Sequence, residues 1–157
     1  MRREIDEGFL YLAFVLDVYS TRVVGWSMAS HLRTELVVDA LGMAVWRRKP
    51  KAGLVHHSDR GTQYTALSFG KKLEEAGIVP SMGRAGSALD NAIFESFIAT
   101  LKAKLVHSRR FPTREAARSA LFEYLEGFYN RRRLPSALGY VSPESYEDLR
   151  TREVAVA

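Results

Sequence analysis

Apolar residues in this chain fall first into two short runs and then into helical stripes. From Phe9 to Val18 aromatic and branched residues follow one another over a length that suits a strand, and Asp17-Val18-Tyr19-Ser20-Thr21 breaks the run. Arg22 to Ala29, with Val23, Val24 and Trp26, reads as a second strand, so the pair predicts a β-hairpin. Thr34 then predicts a helix cap. Leu36, Val37, Ala40, Leu41, Ala44 and Val45 form the inward stripe of a helix to about Arg48. Leu54-Val55-His56-His57 reads as a short buried strand with Ser58-Asp59-Arg60-Gly61 at its C-terminal end. A helix over 66–76 closes on Gly77. Ile78-Val79-Pro80-Ser81 suits an edge strand, where proline is tolerated.

The longest stripe lies between Ser87 and Leu105. Phe94, Phe97, Ile98, Leu101 and Leu105 recur at helical spacing. Ser87 followed by Asp90 has the form of a capping box, with Asp90 an alternative N-cap. Thr113 starts a further helix with Ala117, Ala120, Leu121, Tyr124, Leu125 and Phe128 inward, and Pro143 opens a last short one. The order is hairpin, helix, strand, helix, strand, helix, helix. It predicts an α/β domain with a mixed sheet flanked by helices.

The 157 residues suit one domain, and 46% apolar content supports a sizeable core. Absence of cysteine excludes a disulfide framework and cysteine-ligated zinc, and fits a cytoplasmic protein. No apolar run reaches membrane-spanning length. The net charge of +5 favours an anionic partner, nucleic acid first.

Candidate chemistry centres on two carboxylates. In α/β sheets ligands gather at the C-terminal ends of strands, which is where Asp59 falls. Magnesium takes hard oxygen ligands, and Glu95, on a flank of the longest stripe with Asn91 and Lys102, is the natural second ligand. The local alternative for Asp59 is a turn-former bonded to its own backbone. For the flank of Glu95 it is a solvated face. His56 and His57 are adjacent on a strand and point to opposite faces, so they do not share a site. His57, nearer Asp59, is the one placed to line it, and His56 reads as packed. Arg109, Arg110 and Arg131 to Arg133 are either solvated or grip phosphates.

Taken in order, these segments resemble the catalytic core of bacterial insertion-sequence transposases of the OrfB type, relatives of retroviral integrases. Gly8-Phe9-Leu10-Tyr11-Leu12-Ala13 through Asp17 and Arg22-Val23-Val24-Gly25-Trp26 look like the family's second and third strands. His57-Ser58-Asp59-Arg60-Gly61-Thr62-Gln63-Tyr64 looks like its second-aspartate motif. Asp90-Asn91-Ala92 through Glu95-Ser96-Phe97 and Leu101-Lys102 look like its glutamate helix. Tyr129-Asn130, Arg133, Leu138-Gly139-Tyr140 and Ser142-Pro143 look like its C-terminal signature.

The resemblance implies an RNase H-like fold. It implies an Asp-Asp-Glu triad holding two Mg²⁺ or Mn²⁺ ions for DNA strand cleavage and strand transfer during transposition. Asp59 and Glu95 are then the second and third triad members, both catalytic and metal-binding. Lys102 matches the lysine that contacts DNA, and Arg60, Asn91, Arg131 and Arg133 are the further DNA contacts expected. Implied partners are DNA, as transposon ends and target, and a second copy or an intact transposase, with no membrane. Residues 1–128 are expected to form the core, incomplete at its N-terminus, and 129–157 a tail.

One departure stands out. The family's first aspartate lies upstream of the residues matching Gly8 onward, so the first triad carboxylate is expected to be missing, and with it most of the first strand. That strand is expected between the second hairpin strand and the strand carrying His57, a place for which Arg2, Arg3 and Glu4 are poor occupants. Asp6 and Asp17 are not promoted to replace the aspartate. The expectation is a chain inactive alone and of marginal stability. A non-catalytic DNA- or partner-binding fragment that modulates an intact transposase is the rival reading, and a stand-alone nuclease a weaker one.

Overall fold

In the computed structural model residues 2–58, 66–82, 88–106, 109–132 and 142–148 are described. Arg2–Ile5 forms β1, Gly8–Leu16 β2 and Val23–Ala29 β3, an antiparallel sheet in the order β1-β2-β3. Val55–Ser58 (β4) and Val79–Met82 (β5) form a separate parallel pair, with His56 opposite Pro80. Helices α1 (Thr34–Arg48), α2 (Leu67–Glu75), α3 (Ala88–Leu101) and α4 (Arg114–Phe122) complete the frame, with a short helix over 143–148.

The alternation of β2 decides which helix packs where. Leu10 and Leu12 face one way, onto a core with Phe97, Leu101, Leu105, Leu121 and Leu125. Ala13 faces the other way, with Leu36, Val37, Leu41, Phe69 and Leu73. The sheet therefore carries α1 and α2 on one face and α3 and α4 on the other. Gly25 permits the first of these contacts, since a Cβ there would overlap the Ala40 carbonyl of α1.

Several local expectations change in the folded chain. Residues 2–5 do form a strand, and it pairs with the first hairpin strand rather than the second, from Arg2↔Tyr11 to Ile5↔Gly8. The cause is the tight reversal at Asp6-Glu7 into Gly8, whose φ of 117° suits glycine alone. Arg2 and Glu4 are exposed and Ile5 is buried, while Arg3, opposite the core residue Leu10, is part-buried, with its Nε buried and its Nη2 donating to the Arg109 carbonyl at 2.9 Å. Arg33, not Thr34, is the N-cap of α1, and its side chain makes no capping bond. Asp90 lies inside α3 and so is not the N-cap, while Ser87 lies outside the described residues. Leu54 and Val55 were expected buried and are about half exposed, because β4 has only β5 beside it among the described strands. Phe94 and Phe128, at the ends of their stripes, are also exposed. The Thr113 cap forms as expected, its hydroxyl accepting from the Ala116 N–H at 3.1 Å.

Two helices end in π geometry. Lys102–Val106 continues α3, and Glu123–Tyr129 continues α4. The second delivers Tyr129 and Asn130 to the hairpin. The Tyr129 hydroxyl donates to the Thr21 carbonyl at 2.8 Å. The Asn130 amide accepts from the Val23 N–H at 3.0 Å and donates to the Val23 carbonyl at 3.1 Å.

Candidate active site

Strand β4 runs to Ser58 and leads directly to the segment that holds Asp59. Asp59 and Arg60 lie outside the described residues, as does Arg133. Asn91 is on α3, but its side chain is likewise outside the description. The sites that can be placed are Glu95, Lys102 and Arg131.

Glu95 is exposed on α3. The helix is fixed by its opposite side. Phe97 stacks edge-on against Phe14 at 5.1 Å and against Tyr129 at 5.2 Å, and Leu101 is fully buried. At 3.6 residues per turn, positions 91, 95 and 102 fall within about 40° of one another around the axis. Lys102 is the first residue of the π segment and is exposed. π segments recur at functional positions in helices. A rigid buried stripe thus presents a carboxylate and, about 10 Å along the axis, an ammonium to solvent.

His56 and His57 divide as their strand positions require. The half-buried His56 ring packs on Phe69 with centroids 5.5 Å apart, while His57 is exposed. Burial, and after it the charge of His57, lowers the His56 pKa below its ordinary value. Arg131 is exposed and pairs with Glu144 at 3.4 Å, so its charge is already countered within the chain.

Asp6 and Asp17 have other work. Asp6 pairs with Arg110 at 2.8 Å. Asp17 accepts from the Tyr19 N–H at 2.9 Å and faces Arg48 at 3.6 Å. Among the described residues no cluster of three or more His, Asp or Glu is placed to hold a metal ion. The donor chemistry of Glu95 nonetheless fits a hard divalent cation: it is a carboxylate open to solvent and bridged to no described cation. Among the described residues no helix is long and apolar enough to cross a membrane.

A carboxylate helix packed across a β-sheet that has helices on both faces defines a class, and sequence comparison agrees with it. One integrase core domain model matches residues 2–88 and a second matches 76–143. The chain belongs to the integrase core domain family. It is 43% identical over 141 residues to the transposase for insertion sequence element IS904 of Lactococcus lactis subsp. lactis (strain IL1403), covering 90% of this chain and 56% of that protein. It is also 43% identical over 143 residues to transposase InsF for insertion sequence IS3A of Escherichia coli (strain K12), covering 91% of this chain and 50% of that one. The chain therefore spans about half the length of these curated relatives.

Solved structures support the fold. The catalytic core domain of BIV integrase superposes with a TM-score of 0.67 at 18% identity, covering 98% of this chain and 95% of that one. The HTLV-2 integrase catalytic core domain in complex with magnesium gives 0.64 at 14% identity, covering 93% and 90%. The fold is thus the RNase H-like one that the sequence resemblance implied.

The sequence reading did not find Ser20, Glu126 and Glu147, which tie distant segments together. Glu126 accepts from Trp26 Nε1 at 3.2 Å and from Arg47 at 2.6 Å. Their partners lie 79 to 127 residues away, and no local pattern announces such contacts.

Proposed function

We propose that this chain is the catalytic core of an insertion-sequence transposase, acting on DNA with Asp59 and Glu95 as two of its metal-binding carboxylates. The observation that carries the reading is the unbroken match to integrase core models from residue 2 to 143, together with 43% identity to two transposases. The exposed Glu95 on a helix locked by Phe97 and Leu101 supports the assignment.

In this role Glu95 offers oxygen ligands from a fixed position, and Asp59 offers the others from the segment that follows β4. Mg²⁺ or Mn²⁺, when bound, supplies Lewis-acid stabilisation of charge on phosphoryl oxygens. Lys102, two turns along from Glu95, grips a DNA phosphate and sets its distance from the carboxylates. Arg60 and Asn91 are the neighbouring DNA contacts in this reading, with Arg133 further along the chain and Arg131 joining them where it gives up its pairing with Glu144. The buried stripe keeps the carboxylate and the ammonium in constant relation, so positioning costs little reorganisation.

Isothermal titration with Mn²⁺ tests the site on wild type, Asp59→Asn and Glu95→Gln. Each substitution should weaken binding by tenfold or more. Superimposable titrations for all three would remove both residues from the site.

A further inference from the structure

The acidic side chain of Glu147 sits in a nest of donors that it does not share a segment with. Ser20 Oγ donates to its Oε1 at 2.6 Å, and Arg22 Nη1 to its Oε2 at 3.0 Å. Arg48 Nη2 donates to the same Oε1 as Ser20. The donors come from the turn after β2, the residue before β3 and the last residue of α1. We propose that Ser20, Arg22 and Arg48 form an oxyanion cradle that takes a nucleic-acid phosphate, and that Glu147 fills it in cis when no nucleic acid is bound.

Four observations point this way. Guanidinium forks bind carboxylate and phosphate with the same geometry, so a cradle of two arginines and a hydroxyl serves either anion. The two arginine side chains remain about one-third exposed while Glu147 is 15% exposed, so the cradle opens to solvent behind its occupant. Donors and occupant also differ in their place relative to the family match. Ser20, Arg22 and Arg48 lie inside the segment matched to the integrase core, and Glu147 lies beyond the end of the second match at residue 143. Finally, Lys49 and Lys51 follow Arg48 and are exposed, extending the positive charge along the approach.

The groups facing the cradle set how easily the occupant leaves. Burial alone would raise the Glu147 pKa. The bonds from Arg48, Ser20 and Arg22 outweigh it and hold the pKa below the ordinary value, so Glu147 is ionised at neutral pH. Asp17, 3.6 Å from Arg48, stays in place and counters part of the charge after Glu147 departs. Pro143 is fully buried and Ser142 accepts from the Ser145 N–H, which anchors the start of the terminal helix. Exchange therefore swings the last turn of that helix, breaking the Tyr146 N–H bond to the Ser142 carbonyl at 2.8 Å and opening the contact between Tyr146 and Tyr19, whose centroids are 5.3 Å apart. The cradle lies at the end of α1 that feeds β4, whereas Asp59 follows the opposite end of β4. It is a second phosphate contact, separate from the metal-binding carboxylates.

The nucleic-acid half of this inference rests on the transposase reading; the cradle does not. Thermal melts of wild type, Glu147→Ala and Glu147→Ala/Arg22→Gln/Arg48→Gln in potassium phosphate and in potassium chloride of equal ionic strength test the cradle. Phosphate should raise the midpoint of Glu147→Ala by about 2–4 °C more than that of the other two. An equal rise in all three overturns the cradle. Hydrogen exchange of residues 144–148 in the wild-type protein, with and without a duplex of arbitrary sequence, tests displacement without any variant. Exchange there should quicken at least threefold on binding, and unchanged or slower exchange overturns displacement by DNA. A phosphate-specific shift in a protein that binds no duplex would keep the cradle and refute the nucleic-acid reading alone.

Discussion

Replacing Asn130 with alanine should destabilise this protein more than any change at its exposed carboxylates. Asn130 is 2% exposed and Val23, its partner, is wholly buried. One side chain satisfies both backbone groups of Val23, as a neighbouring strand would. Removing it leaves a buried N–H and a buried C=O, each costing about 1–3 kcal/mol when unpaired. Water entering the vacated space recovers some of that, so we expect a loss of about 2–4 kcal/mol. For a domain of this size the midpoint should fall by roughly 5–15 °C. Urea denaturation with the slope held common to wild type and variant gives the difference directly. Asn130→Asp separates the two bonds, since a carboxylate accepts from the Val23 N–H but has nothing to donate to its carbonyl. Buried and ionised, it also sets an unpaired oxygen against that carbonyl, so it should melt no higher than alanine at neutral pH and recover stability at low pH, where the protonated carboxyl can donate. If alanine melts within 2 °C (about one kcal/mol or less) of wild type, the bidentate bond is not what secures the end of the hairpin.

Two further outcomes follow from the same geometry. Lys102→Ala should weaken binding to duplex DNA and flatten the logarithmic salt dependence by about one unit; fluorescence anisotropy across a potassium chloride series reads this, and an unchanged slope refutes the phosphate contact. Because the folded state lowers the His56 pKa below 6.5, the unfolded chain takes up a proton that the folded chain resists. Stability should therefore fall as pH drops from that value through the depressed folded one. His56→Phe should flatten the melting profile between about pH 7 and 5, and identical profiles for variant and wild type would remove His56 as its source.

What the sequence disclosed and what it hid divide along a physical line. Element types were legible because each stripe buries one face: Leu36, Val37, Ala40 and Leu41 on α1, and Phe97, Leu101 and Leu105 around α3, are all buried at their expected spacing. Stripe ends were not legible. Phe94 and Phe128 obey the helical period, yet their exposure depends on whether another element reaches that far, and at those two points coverage is incomplete. The β4 run failed for the same reason, since Leu54 and Val55 have the composition of a buried strand but only one described strand beside them. Caps split similarly. Thr113 forms its bond because its only requirement is an N–H three residues on, whereas at α1 the helix begins one residue earlier than the hydroxyl would dictate.

Chemistry followed a sharper version of the same rule. That Glu95 and Lys102 share a flank was legible because residues seven apart on one helix do so whatever the rest of the fold does. Asn130 was read as part of a signature, but its role was invisible, because its partner Val23 is 107 residues away and the bond exists only after both core faces have closed. The same holds for Glu147, which meets Ser20 across 127 residues. A motif reports which residues one element presents; it carries no record of which distant backbone or side chain will stand opposite. In this chain, therefore, the polar groups that pin segments together are the ones that sequence alone leaves unassigned, and substitutions at Asn130 and Glu147 test more of the fold than substitutions along any stripe.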